Sequence, residues 1–137
     1  MGIRGVTILF EGEQNHAGTT TMARRRDAAT AMFEMAHRIN QEFPPIVNNR
    51  TVWTIGNAVI EPGAASIVPG RAELTVQFRD QDETLLNKLE QIVSSIANDI
   101  NSRSIIKVQV MPSRAPIRPC NMHEAFVTKK GRSAELD

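Results

Sequence analysis

Residues 71–79 alternate more cleanly than any other part of this chain. Ala72, Leu74, Val76 and Phe78 fall on one side, and Glu73, Thr75 and Gln77 on the other. A period of two puts successive side chains on opposite faces of a strand. One face of the sheet that holds this strand is therefore buried and the other is wet, which is the habit of antiparallel sheets.

The remaining elements have to cover that buried face. Residues 5–13 read as a strand with Val6, Ile8 and Phe10 on one side. Residues 24–42 read as a helix, because Ala28, Met32, Met35, Ala36 and Ile39, with Phe43 beyond, recur at spacings of three and four. Pro44 and Pro45 end it. Residues 50–60, with Trp53, read as another strand, broken by Glu61-Pro62-Gly63. Asp80 and Asp82 offer N-caps to a second amphipathic helix, carried to about Ser102 by Leu85, Leu89, Ile92, Val93, Ile96 and Ile100. Residues 105–111 complete a β-α-β-β-α-β order. The economical packing is an α+β, ferredoxin-like two-layer sandwich, with a four-stranded antiparallel sheet and both helices on one face. Residues 1–120 form this domain, and residues 121–137 are expected to be a loose tail.

Composition narrows the function. The 137 residues suit one domain, and a hydrophobic share of 41% is enough for one core. A net charge of +1 gives no steering toward nucleic acid or membrane. Aromatic residues make up 4% and Tyr is absent, so a base-stacking platform is disfavoured. Cys120 is the single cysteine, which excludes an internal disulfide and fits a reducing cytoplasm. No apolar run reaches the roughly 20 residues that span a bilayer. Met1-Gly2 does not make a myristoylation signal, because position 6 is Val.

The chain is poor in self-contained chemistry. Its three histidines, His16, His37 and His123, have no metal-ligand spacing, so no metal site is expected within it. There is no G-x-S-x-G elbow, phosphate-binding loop or G-x-G-x-x-G. His16 differs from the other two by sitting in a Gly/Thr-rich loop after a strand, where an imidazole can donate to a carboxylate or an oxyanion. A turn histidine that caps nearby backbone is the competing reading. Arg79, at the end of its strand, can clamp a carboxylate with two parallel bonds, or can pair with Asp80 or Asp82. The run Arg24-Arg25-Arg26 reads as solvated, or as paired with Asp27 or Glu34.

Residues 12–28 read G-E-Q-N-H-A-G-T-T-T-M-A-R-R-R-D-A. This closely resembles the G-x-x-N-H-A-G-T-T-P-M-x-x-R-x-D-A signature of the N-carbamoyl-amino-acid hydrolase and allantoate amidohydrolase family. That family lies among the aminoacylase- and carboxypeptidase-like zinc hydrolases. Residues 55–70, I-G-N-A-V-I-E-P-G-A-A-S-I-V-P-G, are similar to the family's T-V-G-x-x-x-x-x-P-G-x-x-N-V-I-P-G stretch. The strand ending at Arg79 resembles its L-D-x-R strand. The likeness covers residues 3–120 and departs at Thr21, Ser66 and Gln77, where the family has Pro, Asn and Asp.

The resemblance implies a lid and dimerisation domain whose zinc-binding catalytic domain is not in this sequence. That missing domain would hold two zinc or other divalent ions, and this chain none. The parent would be a cytoplasmic homodimer hydrolysing linear C–N amides of N-carbamoyl amino acids, ureido acids or allantoate, small substrates that carry a carboxylate. The resemblance casts His16 as the catalytic residue that steadies substrate or oxyanion, and Arg79, Ser66 and Asn15 as substrate contacts. The lid of such enzymes often serves the neighbouring subunit's active site. The alternatives are a free-standing dimerisation or small-molecule-binding module and, less favoured, an RNA-binding sandwich.

Overall fold

A computed structural model describes residues 2–113. Cys120, His123 and the expected tail lie outside them. The described chain runs β1 (Gly2–Glu11), β2 (Asn15–His16), α1 (Ala28–Glu42), β3 (Val52–Glu61), β4 (Ile67–Val68), β5 (Arg71–Asp80), α2 (Glu83–Arg103) and β6 (Lys107–Pro112). Strands β3, β5, β1 and β6 form one antiparallel sheet in that order, and β2 pairs with β4 in a separate two-residue ladder. This is the ferredoxin-like arrangement expected from the patterning.

Both helices cover one sheet face. Val6, Ile8 and Phe10 of β1 and Ala72, Leu74, Val76 and Phe78 of β5 are buried beneath Met32, Met35 and Ile39 of α1 and Leu86, Leu89, Val93, Ile96 and Ile100 of α2. Phe43, just past α1, meets Trp53 and Phe78 edge-on, with ring centroids 5.4 and 5.8 Å apart. Arg38 ties the helices together, reaching Glu42 at 2.9 Å and Asp99 of α2 at 2.6 Å.

Strand β3 shows why its sequence pattern is less clean than that of β5. Ile55 pairs with Val76, but Asn57 pairs with Thr75, so Gly56 is an extra residue in a bulge. Trp53 and Ile55 pack inward before it and Ile60 after it, which exchanges odd for even positions.

Helix α1 begins later than periodicity suggests. Residues 22–24 make a separate 3-10 turn, and Arg25 is extended with ψ 139°. Asp27 then caps α1, its Oδ1 accepting from the Ala29 and Thr30 amides at 2.9 and 3.2 Å. Asp82 caps α2 by accepting from Thr84 N. Asp80 works one step back. Only 4% exposed, it accepts from Thr51 Oγ1 at 2.5 Å, Asn48 Nδ2 at 3.2 Å and Asp82 N at 2.8 Å. The Thr51 hydroxyl bond, then the Asp82 amide, hold its carboxyl below the usual carboxylate range.

Candidate functional site

The loop between β1 and α1 is built around backbone crossings. Gly12 N donates to Gly70 O at 2.9 Å, Glu13 N to Arg26 O at 2.8 Å, and Ala17 N to Ser66 O at 2.8 Å. Asn15 and His16 pair with Val68 and Ile67. The Gly/Thr-rich loop expected around His16 is thereby part of a frame, tied down by its short ladder with β4. Gly12 is required by it, since a Cβ there would fall 2.0 Å from Arg26 O.

His16 is exposed, and its ring is oriented. Its Nδ1 accepts from Gly18 N at 3.0 Å, within the turn formed by residues 17–19. A nitrogen that accepts carries no proton, so the neutral ring is protonated at Nε2. The exposed imidazole thus offers one N–H donor, at Nε2. A turn histidine and a functional donor are compatible readings of His16: one ring nitrogen engages the turn, and the other has no partner among the described residues. His16 O also accepts from Thr20 Oγ1 at 2.8 Å and Thr19 Oγ1 at 3.4 Å.

Asn15, half-buried beside His16, has a buried Oδ1 without a partner among the described residues. A buried acceptor left unpaired is costly, and a donor from outside this chain would relieve it. Ser66 lies next to the ladder and is exposed. The structure therefore brings His16, Asn15 and Ser66 together.

Arg79 stands apart from them. It pairs across the sheet with Ile3 and Val52, while Arg71 pairs with Glu11 and Glu61 at the end that leads into the His16 loop. Eight residues of extended strand separate the two ends, roughly 26 Å at the usual rise. Arg79 makes no ion pair with Asp80 or Asp82 among the described residues. It is exposed, and donates from Nε and Nη2 to Gln77 Oε1 at 3.3 and 3.0 Å. Gln77 stands where the resembling family has Asp, and it holds the guanidinium through a neutral oxygen.

Sequence reasoning missed Arg25. It is half-buried and forms no ion pair with Asp27 or Glu34; its Nε donates to Thr20 O at 3.2 Å and its Nη2 to Ala17 O at 2.9 Å. Its fixed place in the quoted signature was the available signal. His37 is exposed on α1. Among the described residues no three His, Cys, Asp or Glu side chains converge as metal ligands, and no helix is long and apolar enough to cross a membrane.

Residues 1–104 match the peptidase dimerisation domain family. The chain belongs to that family. This dimerisation domain is 30% identical over 126 residues to an allantoate amidohydrolase of Bacillus subtilis (strain 168), covering 90% of this chain and 29% of the relative. It is 29% identical over 110 residues to an N-carbamoyl-L-amino-acid amidohydrolase of Paenarthrobacter aurescens, covering 80% and 26% of the two chains. A crystal structure of a hydantoinase/carbamoylase family amidase from Burkholderia phymatum superimposes with a TM-score of 0.79 at 29% identity, over 96% of this chain and 34% of that one. The dimerisation domain thus spans about a quarter to a third of the proteins it resembles.

Proposed function

We propose that this domain is the lid and dimerisation domain of an amidohydrolase that cleaves a linear C–N amide in an N-carbamoyl amino acid, a ureido acid or allantoate. The observation that carries the reading is the Gly18 amide bond to His16 Nδ1, which leaves Nε2 to bear the proton of an exposed ring set beside Asn15 and Ser66. A preset donor of this kind stabilises charge that develops on a substrate oxygen. Arg79 supplies the two-pronged carboxylate contact. We take any zinc to be held by a domain elsewhere in the parent, and the parent to be cytoplasmic; among the described residues no three His, Cys, Asp or Glu side chains converge on a common point.

The separation of His16 from Arg79 supports a homodimer. Among the described residues β3 is the longer unpaired edge, and its Val52 and Val59 are 52% and 38% exposed. Antiparallel pairing of β3 with its copy sets the Val52 end of one protomer beside the Glu61 end of the other. Arg79 of one chain then approaches the His16 loop of its partner. Gly2 lies opposite Asp80, and β6 runs toward the same end, its Pro112 opposite Val6, so a domain joined on that side would neighbour its own Arg79. One site would combine Arg79 from one protomer with His16, Asn15 and Ser66 from its partner.

In the full-length parent, His16→Ala is expected to cut kcat by about 10²–10³ with metal content intact, and Arg79→Ala to raise KM. Co-assembled His16→Ala and Arg79→Ala subunits should regain activity, since one of the two sites in such a heterodimer is whole. An inactive heterodimer would refute the shared site, and an unaffected rate for His16→Ala would remove His16 from the chemistry. The isolated 137-residue chain is expected to bind no stoichiometric zinc and to turn over no substrate.

A further inference from the structure

We propose that Arg25 is the positioning residue for His16, spanning the Ala17 and Thr20 carbonyls so that the intervening turn aims the Gly18 amide at the imidazole. The two carbonyls bracket the turn of residues 17–19, and Arg25 reaches them from its Nη2 and Nε at 2.9 and 3.2 Å. The Gly18 N–H that selects the tautomer belongs to this turn. Without the clamp, the turn is held by the Ala17 amide on Ser66 O and by threonine hydroxyls on His16 O. Those bonds hold the start of the turn and the Thr20 side chain, but none of them engages the Ala17 or Thr20 carbonyl.

Arg25 is well based for this task. Its own N–H donates to Met22 O at 3.2 Å, the Arg26 carbonyl beside it accepts from Glu13 N, and Asp27 caps α1. The guanidinium therefore springs from backbone fixed on both sides, and its planar fork serves two acceptors at once. A lysine ammonium at the end of a flexible stem cannot reproduce that fork. Arg24 and Arg26 are exposed and take no part in the clamp, so they separate position from charge.

The relevance of this clamp to turnover rests on His16 having the function proposed above; the clamp itself is tested on this chain by NMR. At alkaline pH, where imidazoles are neutral, His16 should show a proton-bearing Nε2 well separated in 15N shift from a bare Nδ1. Arg25→Gln is expected to draw the two resonances toward a tautomer average and to speed Gly18 amide exchange roughly tenfold. Arg24→Gln and Arg26→Gln should leave both unchanged, and Arg25→Lys should fall between. A wild-type His16 spectrum in Arg25→Gln overturns the proposal, as does the same change in Arg24→Gln or Arg26→Gln. Should Arg25→Gln lose its fold by circular dichroism, Arg25→Lys carries the test, and wild-type shifts and exchange there overturn it. In the parent, Arg25→Gln should lower kcat more than it changes KM. An unaffected His16→Ala parent would defeat the catalytic reading while leaving the NMR result to stand or fall by itself.

Discussion

Gly18 donates its amide hydrogen to Nδ1 of His16, two residues back along the chain, at 3.0 Å. The contact is close because Gly18 has no side chain. A Cβ there would lie 3.0 Å from Cε1 and 3.3 Å from Nδ1 of the ring. Gly18→Ala is therefore expected to push the imidazole aside and break the bond. The fold should be kept, since both residues are exposed, with stability changed by less than about 1 kcal/mol. Imidazole 15N shifts check the first expectation and urea unfolding the second; an unchanged tautomer would contradict the account of ring orientation.

Gly12 answers to a harder constraint. Its absent Cβ would sit 2.0 Å from Arg26 O and 3.0 Å from Ile106 Cδ1. Backbone cannot yield as an exposed ring can. Gly12→Ala should cost about 3 kcal/mol, in the range of substitutions that force strain into packed structure. A urea midpoint equal to wild type would show that the crossing of residues 12–13 with residue 26 is not tight.

Asp80 links stability to pH. Its folded carboxyl is held below the ordinary value, chiefly by the Thr51 hydroxyl. A group depressed in the folded state stabilises above its unfolded pKa, about 4, and that contribution is lost as pH falls through the lower folded value. Thermal stability should therefore decline in acid below about pH 4. Asp80→Asn should be less stable than wild type at neutral pH, with the gap narrowing in acid. A constant gap across that range would exclude ionised Asp80 as the cause.

The free edge of β3 is predicted to carry the dimer. Lysine at both Val52 and Val59 places charge along it, a common way of blocking strand pairing. Light scattering should show a dimer for the wild-type chain and a monomer for the double variant, with circular dichroism unchanged. A wild-type monomer at every accessible concentration, or a dimeric double variant, would refute the assignment.

The local pattern of this chain carried most of its architecture. The alternation of residues 71–79, the two amphipathic helices and the prolines after Phe43 determined the elements, their order and the buried face, because each depends on neighbours a few positions away. The likeness of residues 12–28 and 55–70 to a known signature marked His16, Asn15, Ser66 and Arg79. What the pattern could not carry was distance between segments. The start of α1 moved to Ala28 because Asp27 and the crossing at Arg26 outweigh helical periodicity. The bulge at Gly56 was hidden because its effect is visible only against Val76 and Thr75 on β5. Arg25 reads as solvated, or as paired with Asp27 or Glu34, since its actual partners are carbonyls, which every residue has and no sequence distinguishes. The gathering of His16 with Ser66, and the parting of both from Arg79 by the length of β5, came from the sheet alone. Pairing between strands is long-range, and it decides which chemically suitable residues meet.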